Sequence, residues 1–382
     1  QFNVHVFHDG DIRTDVIFQN HDAFSTAIRD ITYGVTMRQD GQVVFSQSNI
    51  QHHRSSNWHK EVWRGDNPDL HYQHDVWYMM STGAIPNYDL TMGVGADTIS
   101  QSYAYIENSD TGPLGNAGVT QYMPMTGGRG DIGILPEWTV EYLVTQDALA
   151  KEVMLANADA AGSAPWHIVD ESTGEAISIW DHPDLWVDSR NDTLPDALYA
   201  SGTGGWSIDT AHQPSLSYIP YLVTGNQYYL DNLVNQAATS VAMMFDRDEG
   251  NLVFLLSAEQ TRSKAWTLRT LSEATFAVPD DHALSDYFDA VMDANLNYAV
   301  QQYVINGALD GAGELEGYFP TPYGGGQHLI SPWQQDFLAL SLALTASRGH
   351  EQAEVLSEWM NNFTSGRWTN EENGYDPFYG AP

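Results

Sequence analysis

Apolar positions change their period once along the chain. In the first part, "RTDVIFQN" and "ITYGVTMRQDGQVVFSQ" carry β-branched residues in partial alternation around a Gln39-Asp40-Gly41 turn. "HKEVWRG" and "YQHDVWYMM" continue the pattern, so residues 1–95 are expected to form an antiparallel, sandwich-like β domain. "STGAIPNYDLTMG" reads as a linker, and Gly- and Pro-rich text fills 96–130 as linker and loops. From 131 to 382 the period is helical.

Four helical pairs follow from that period. "PEWTVEYLVT" is apolar on nearly all sides and precedes the amphipathic "DALAKEVMLANADAAG". "PSLSYIPYLVTG" precedes "NQYYLDNLVNQAATSVAMM", "SKAWTLRTLSEATFAVPD" precedes "HALSDYFDAVMDANLNYAVQQYV", and "SPWQQDFLALSLALTASRG" precedes "HEQAEVLSEWMNNF". Each pair has an apolar first helix, a short turn with Asp, Gly, Pro or Asn, and a more polar second helix. Tyr-Leu-Val-Thr recurs at the same place in the first two pairs, at 142–145 and 221–224. That spacing exceeds short solenoid repeats, and long irregular segments such as "WHIVDESTGEAISIWDHPDLW" separate the pairs. The pattern predicts an α/α toroid whose first helices line the centre and whose second helices face water, with an irregular helical bundle as the alternative. "NGYDPFYGAP" could open a fifth pair, so the ring is expected to be partial. The expected fold class is α+β multidomain: an N-terminal antiparallel β-sandwich, then an α/α-hairpin toroid over 131–382.

Charge narrows the functional classes. Fifty Asp and Glu face fifteen Lys and Arg in 382 residues, a formal net charge of −35. The lysines are Lys60, Lys151 and Lys264. A nucleic-acid groove needs a basic face, so no nucleic-acid partner is expected. The acids are dispersed rather than run together, which argues against a disordered acidic tail. An Asp-rich, Lys-poor surface suits high salt, where self-repulsion is screened within a few ångströms; a halophilic source is expected, with an ordinary acidic extracellular protein as the plainer alternative. No apolar run is long enough for a membrane span and no signal peptide is seen. The start at Gln1 suggests processing or a piece of a longer polypeptide. The absence of cysteine removes disulfides, thiolate metal sites and Cys nucleophiles.

Candidate chemistry gathers just before the first helix of each pair. There stand Arg129 and Asp131, then Asp209, His212 and Gln213, then Gln260, Arg262 and Trp266, then His328, Trp333, Gln334 and Asp336. Helix N-termini and two arginines at one end of a toroid would favour an anionic ligand. Each residue also has a structural explanation: Asp209 and Asp131 as helix caps, Asp336 as a first-turn acid, Trp266 and Trp333 as core. His212 is the leading candidate for acid–base work, with Asp209 to orient its imidazole and Tyr218 as a proton donor. Hydrolysis would instead require two carboxylates, for which Asp209 pairs with Asp336 or Glu273. His52, His53, His59, His71 and His74 form a second cluster, but without a tight metal-binding spacing; neither metal nor cofactor is expected. His59, Lys60 and Arg64 are expected to close the cleft from the β domain. Arg129-Gly130-Asp131 is read as a chance match, and the sequons at Asn191 and Asn362 mark exposed loops.

The phrases "VHVFHDGDIRTDVIFQN", "WHKEVWRG", "AIPNYD", "AHQPSLSYIPYLVTGNQYYLDNL", "AWTLRTLSEATFAVPDDH" and "SPWQQDFLALS" resemble a set of large uncharacterised bacterial and phage proteins, over most of the chain. The architecture is similar to that of polysaccharide lyases and glycoside hydrolases with α/α toroids, an analogy of fold that brings no catalytic motif with it. The expectation is a carbohydrate-active enzyme on an acidic polysaccharide. Arg129 or Arg262 would neutralise a uronate in β-elimination, or Asp209 and Asp336 would serve hydrolysis, with a slight tilt to the lyase. Gln213, Trp266, Trp333, Gln334 and His59 would bind substrate. The competing class is a non-catalytic virion or cell-surface protein that uses the toroid for glycan binding or for assembly, as a homo-oligomer or within a larger particle.

Overall fold

Strands open the chain because the first sixty residues alternate, and the pairing follows the turn chemistry. The computed structural model describes residues 1–382 except 25–28, 66, 68–70, 126, 189–202, 246, 248–251, 258, 308–315, 324–326 and 370–382. Strands β1 (Phe2–Val6), β2 (Ile12–Asn20) and β5 (Ser56–Arg64) form an antiparallel sheet with β2 in the middle. Strands β3 (Ile31–Gln39) and β4 (Gln42–His52) form a hairpin. Its turn is the expected one: Asp40 and Gly41 both have positive φ, 49° and 82°, as a two-residue primed turn requires. The two sheets share a small apolar cluster. In it Trp58 stacks on Phe18 at 4.2 Å, donates its indole N–H to the Tyr33 hydroxyl at 2.8 Å, and packs with Val35 and Ile50.

Beyond Arg64 the expectation of further strands gives way. "YQHDVWYMM" contributes helix α1 (Val76–Ser81), because Asp75 accepts the Tyr78 N–H at 3.0 Å and Val76 and Met80, one turn apart, both bury. Helix α2 (Ala96–Glu107) lies in text read as loop; it buries Ile99 and Ile106 but little else, so its apolar stripe is faint.

The four expected pairs are present: α3 (Glu137–Thr145) with α4 (Ala148–Asp159), α5 (Tyr218–Thr224) with α6 (Gln227–Met243), α7 (Thr261–Ala277) with α8 (Ser285–Ala299), and α9 (Pro332–Ser347) with α10 (Glu351–Thr364). The repeated tetrapeptide proves to be a turn device as much as packing. Thr145 and Thr224 each bond back to the carbonyl four residues earlier, at 2.6 Å in both, and each hydroxyl accepts the amide two residues on. Gln146 and Gly225 then take the left-handed conformation, and Asp147 and Asn226 cap the next helix. The "NGYDPFYGAP" segment and the Asn191 sequon lie outside the described residues. Asn362 lies exposed on α10, a helix rather than a loop. Among the described residues no helix is long and apolar enough to cross a membrane.

Two features depart from the inner-and-outer expectation. Helix α6, a second helix, is buried along nearly its whole length, because the segment around 166–187 covers it; Val187 donates its backbone N–H to Ala242 and Trp186 its indole N–H to Met243. Helix α5 begins at Tyr218 rather than at Pro214. The preceding residues run as buried, non-helical chain, and their carbonyls are met from neighbouring helices: Arg269 donates to Gln213 O at 3.0 Å and Gln236 to Pro214 O at 2.8 Å.

Helix α7 is the hub of the helical layer, packed against α5, α6, α8 and α9. It carries Arg269 and Glu273 one turn apart, both buried. Ser215 donates to both oxygens of Glu273 at 2.8 Å, while Arg269 also reaches Gly133 O. Burial raises the Glu273 pKa, against the opposing charges of Arg269 and Arg348. Substituting Arg269 by Ala would leave a buried carboxyl and two carbonyls short of partners, with an expected loss of about 3–5 kcal/mol in chemical denaturation. Asp147→Ala, which removes only a helix cap, is expected to cost about 1 kcal/mol in the same measurement.

Candidate functional site

The site starts from a local turn. Asp209 Oδ1 accepts the Ala211 N–H at 3.0 Å, and the His212 N–H reaches Asp209 O at 3.3 Å, so residues 209–212 fold back on themselves. This turn brings His212 Nδ1 onto Asp209 Oδ2. With a carboxylate as acceptor the proton sits on Nδ1, which leaves Nε2 as the basic nitrogen. His212 is only 4% exposed, and Nε2 has no hydrogen-bond partner among the described residues.

Beside Nε2 runs the backbone of Gly127. A Cβ built on Gly127 would lie 3.8 Å from His212 Nε2 and 3.0 Å from Arg262 Nη1. The Gly127 backbone is not in the left-handed region, so no turn requires a glycine there. Its missing side chain matters for space, as where a ligand approaches backbone closely.

Arg262 stands in the first turn of α7. Its Nε donates to Gln260 Oε1 at 2.8 Å, its backbone N–H to Gln334 Oε1 at 3.1 Å, and its guanidinium lies over the Trp333 ring at 5.4 Å. The starts of α7 and α9 thus fix its position. Of the residues expected at the site, the structure connects Asp209 to His212 and Arg262 to Trp333 and Gln334, with Gly127 between the two groups.

No known protein family, curated protein or solved structure matches the chain.

The remaining candidates have other work. Gln213 adjoins His212, but its carboxamide oxygen accepts from Gln236 at 3.0 Å and Ser240 at 2.7 Å inside the core. Trp266 is buried against Phe337 and beneath the Arg269 guanidinium. Tyr218 is fully buried; its hydroxyl donates to Ala84 O at 2.8 Å and accepts from Arg348 at 3.2 Å, and burial pushes its pKa up. It is held as a structural group, with no proton to give the site. Asp336 pairs with Arg367 at 2.6 Å, and standing two positions from Gln334 it projects from a different side of α9. Arg129 pairs with Asp131 at 2.8 Å, donates to Met123 O at 3.0 Å, and borders a separate cavity of about 290 Å³ with Glu137 and Asn157. The side chain of His328 lies outside the described residues. Among the described residues no group of three His, Asp or Glu is arranged to hold a metal ion. His52 and His53 instead bond Ser56 O and Ser163 O.

His59 joins the sheet to the helices. Its Nε2 is 3.0 Å from Asp159 at the end of α4, its Nδ1 is 3.4 Å from Asp15 on β2, and its ring stacks on Tyr228 of α6 at 3.9 Å. The longer approach to Asp15 is a charge contact rather than an aligned hydrogen bond. Burial opposes the imidazolium, but the Asp159 charge and the contacts of both carboxylates outweigh it and raise the pKa to about 9. For Asp15, burial acts to raise the pKa, and the His59 and Arg13 contacts more than offset it. Sequence gave no sign of this clamp, because Asp15 and Asp159 are remote from His59 along the chain. Gly127 was equally hidden within "TGGRGD", where every glycine looks alike.

The sign of the pH effect follows from the raised pKa. The His59 contribution is complete below its ordinary pKa of 6.5 and is lost as pH rises through about 9. Unfolding free energy measured across that interval is expected to fall by on the order of 1–3 kcal/mol more in the unaltered protein than in His59→Gln.

Proposed function

We propose that the chain is a carbohydrate-active enzyme that cleaves an acidic polysaccharide by β-elimination, on a partial α/α toroid preceded by a β-sandwich. The observation that carries this reading is the Nε2 of His212, buried and without a hydrogen-bond partner among the described residues, with Arg262 beside the same glycine, Gly127, that it adjoins. Arg262 would neutralise the uronate carboxylate and so acidify the adjacent C–H. His212 Nε2 would take that proton as the C=C bond forms and the glycosidic C–O bond breaks. Asp209 would stabilise the imidazolium, which can return the proton to the leaving oxygen. With Tyr218 committed to Ala84 and Arg348, His212 is the proton carrier in both halves.

Hydrolysis has less support, since Asp336 is paired with Arg367 and Glu273 is enclosed with Ser215. The depth of His212 favours one second reading: a non-catalytic virion or cell-surface module that binds the same glycan. The acidic composition fits an extracellular or virion setting at high salt in either case.

The test is incubation at high salt with uronic-acid polymers, following ultraviolet absorbance of the unsaturated product and reducing ends. His212→Ala is expected to lower turnover by about 10²–10⁴-fold, and Gly127→Ala by on the order of 10²-fold with unchanged thermal unfolding. Failure to form product from any uronate polymer would eliminate the enzyme reading, and full activity in His212→Ala would eliminate this site.

A further inference from the structure

A cavity of about 420 Å³ lies where the first sheet meets the helices, and neither His212 nor Asp209 lines it. Its volume falls in the ordinary range of small-ligand sites, roughly 300–1,000 Å³. Arg13 from β2, Phe45 from β4 and Lys60 from β5 form one side. Asp159 and the loop carrying Asp110 and Leu114 form the other.

Four features mark this as a built site. In a chain with 15 basic residues against 50 acidic ones, Lys60 faces the cavity together with Arg13, which approaches Asp15 at 3.5 Å and Glu61 at 3.8 Å, and His59 stands beside them. Lys60 Nζ stands 5.6 Å over the Phe45 ring, so an ammonium and an apolar ring face lie together. Asp159 gives Oδ1 to His59 and to the Tyr229 hydroxyl, at 3.0 and 2.8 Å; its Oδ2 has no bond among the described residues, and the side chain is 48% exposed. The loop wall is also strained: Leu114 and Ala117 hold φ of 63° and 45° without being glycine. The Ala117 N–H bond to Asp110 O at 2.8 Å and the Ser163 bond to Gly115 O at 2.9 Å keep it there. Strain of this kind persists only where the surroundings impose it, and it gathers at ligand sites.

We propose that this cavity is a second glycan-binding subsite, which takes a uronate-bearing sugar unit of the polymer away from the reacting centre. Lys60 meets the carboxylate, Asp110 and Asp159 accept hydroxyl protons, and Phe45 and Leu114 cover the C–H face of the ring. The proposal rests on the acidic-polysaccharide reading for its ligand class and not on cleavage.

Calorimetric titration with oligogalacturonate is the test, using His212→Ala as background so that no turnover intervenes. Lys60 and Asp110 are exposed, so their replacement leaves the core intact, although Asp110 also accepts the Gly112 N–H at 3.1 Å in the loop wall, which makes Lys60 the deciding variant. Lys60→Ala and Asp110→Ala are each expected to weaken binding at least tenfold on that background. In the otherwise unaltered protein, either change is expected to raise KM for long polymer while leaving kcat on a short oligomer unchanged. Binding within twofold of the background in Lys60→Ala overturns the subsite, as does equal affinity for a neutral glucan. Product formation with Lys60-independent binding would remove only the subsite; Lys60-dependent binding with no product would remove only the lyase.

Discussion

Non-helical chain inside a helical core must find partners for its backbone, and in this protein helix side chains supply them. Arg269 of α7 takes the carbonyls of Gly133 and Gln213, and Arg348 at the end of α9 takes those of Gly83 and Ala84. Gln335 of α9 both donates to Phe319 O and accepts from Phe319 N, at 2.7 and 2.9 Å, as a neighbouring strand would. Asn295 of α8 does the same for the segment 252–255, accepting from Phe254 and Leu255 and donating to Leu252. An unmet buried carbonyl or amide costs about 1–3 kcal/mol, so these contacts decide whether the buried loops can exist at all. The chain that delivers His212 is one of those loops. Its position therefore depends on α6 and α7, although the dyad itself is made within four residues.

The same contacts shape the electrostatics. Lys264, Arg269 and Arg367 are almost wholly buried, and burial brings Lys264 down to a pKa of about 7. A share of the scarce positive charge is thus inside the fold, together with Asp15, Asp131, Asp170 and Glu273, so the described surface keeps the acidic excess of the composition. Charged groups at the two candidate sites, Arg262 at one and Lys60 at the other, stand out against that background. Under the proposed reading they would be where an anionic polymer settles on a chain that otherwise repels it, and salt would moderate the repulsion.

Much of the local design was legible. The Asp40-Gly41 hairpin, the four helical pairs and the Asp209–His212 contact all depend on residues a few positions apart, where period, turn chemistry and i, i+3 geometry act directly. Even the Tyr-Leu-Val-Thr repeat belongs here, since its threonine, left-handed residue and cap form one short-range turn. The helix at Val76–Ser81 is masked in the sequence because aromatic and β-branched residues outweigh a single capping aspartate. The extended run before Tyr218 is masked because its helix-like apolar spacing carries no mark of the Arg269 and Gln236 contacts that hold it open.

Tertiary structure decided what each polar group is for. Tyr218 became a strut because Ala84 and Arg348 converge on its hydroxyl, and Asp336 left the site because Arg367 lies beside it. His59 became a clamp through Asp15 and Asp159, and Gly127 became the close neighbour of both His212 and Arg262. Each of these relations joins residues from separate elements, tens to hundreds of positions apart. Sequence alone determined the Asp40-Gly41 hairpin, the four helical pairs and the turns inside them, because those choices are settled within a turn or two of chain. Which side chains share a cavity depended on how the elements pack, and no local pattern encodes that.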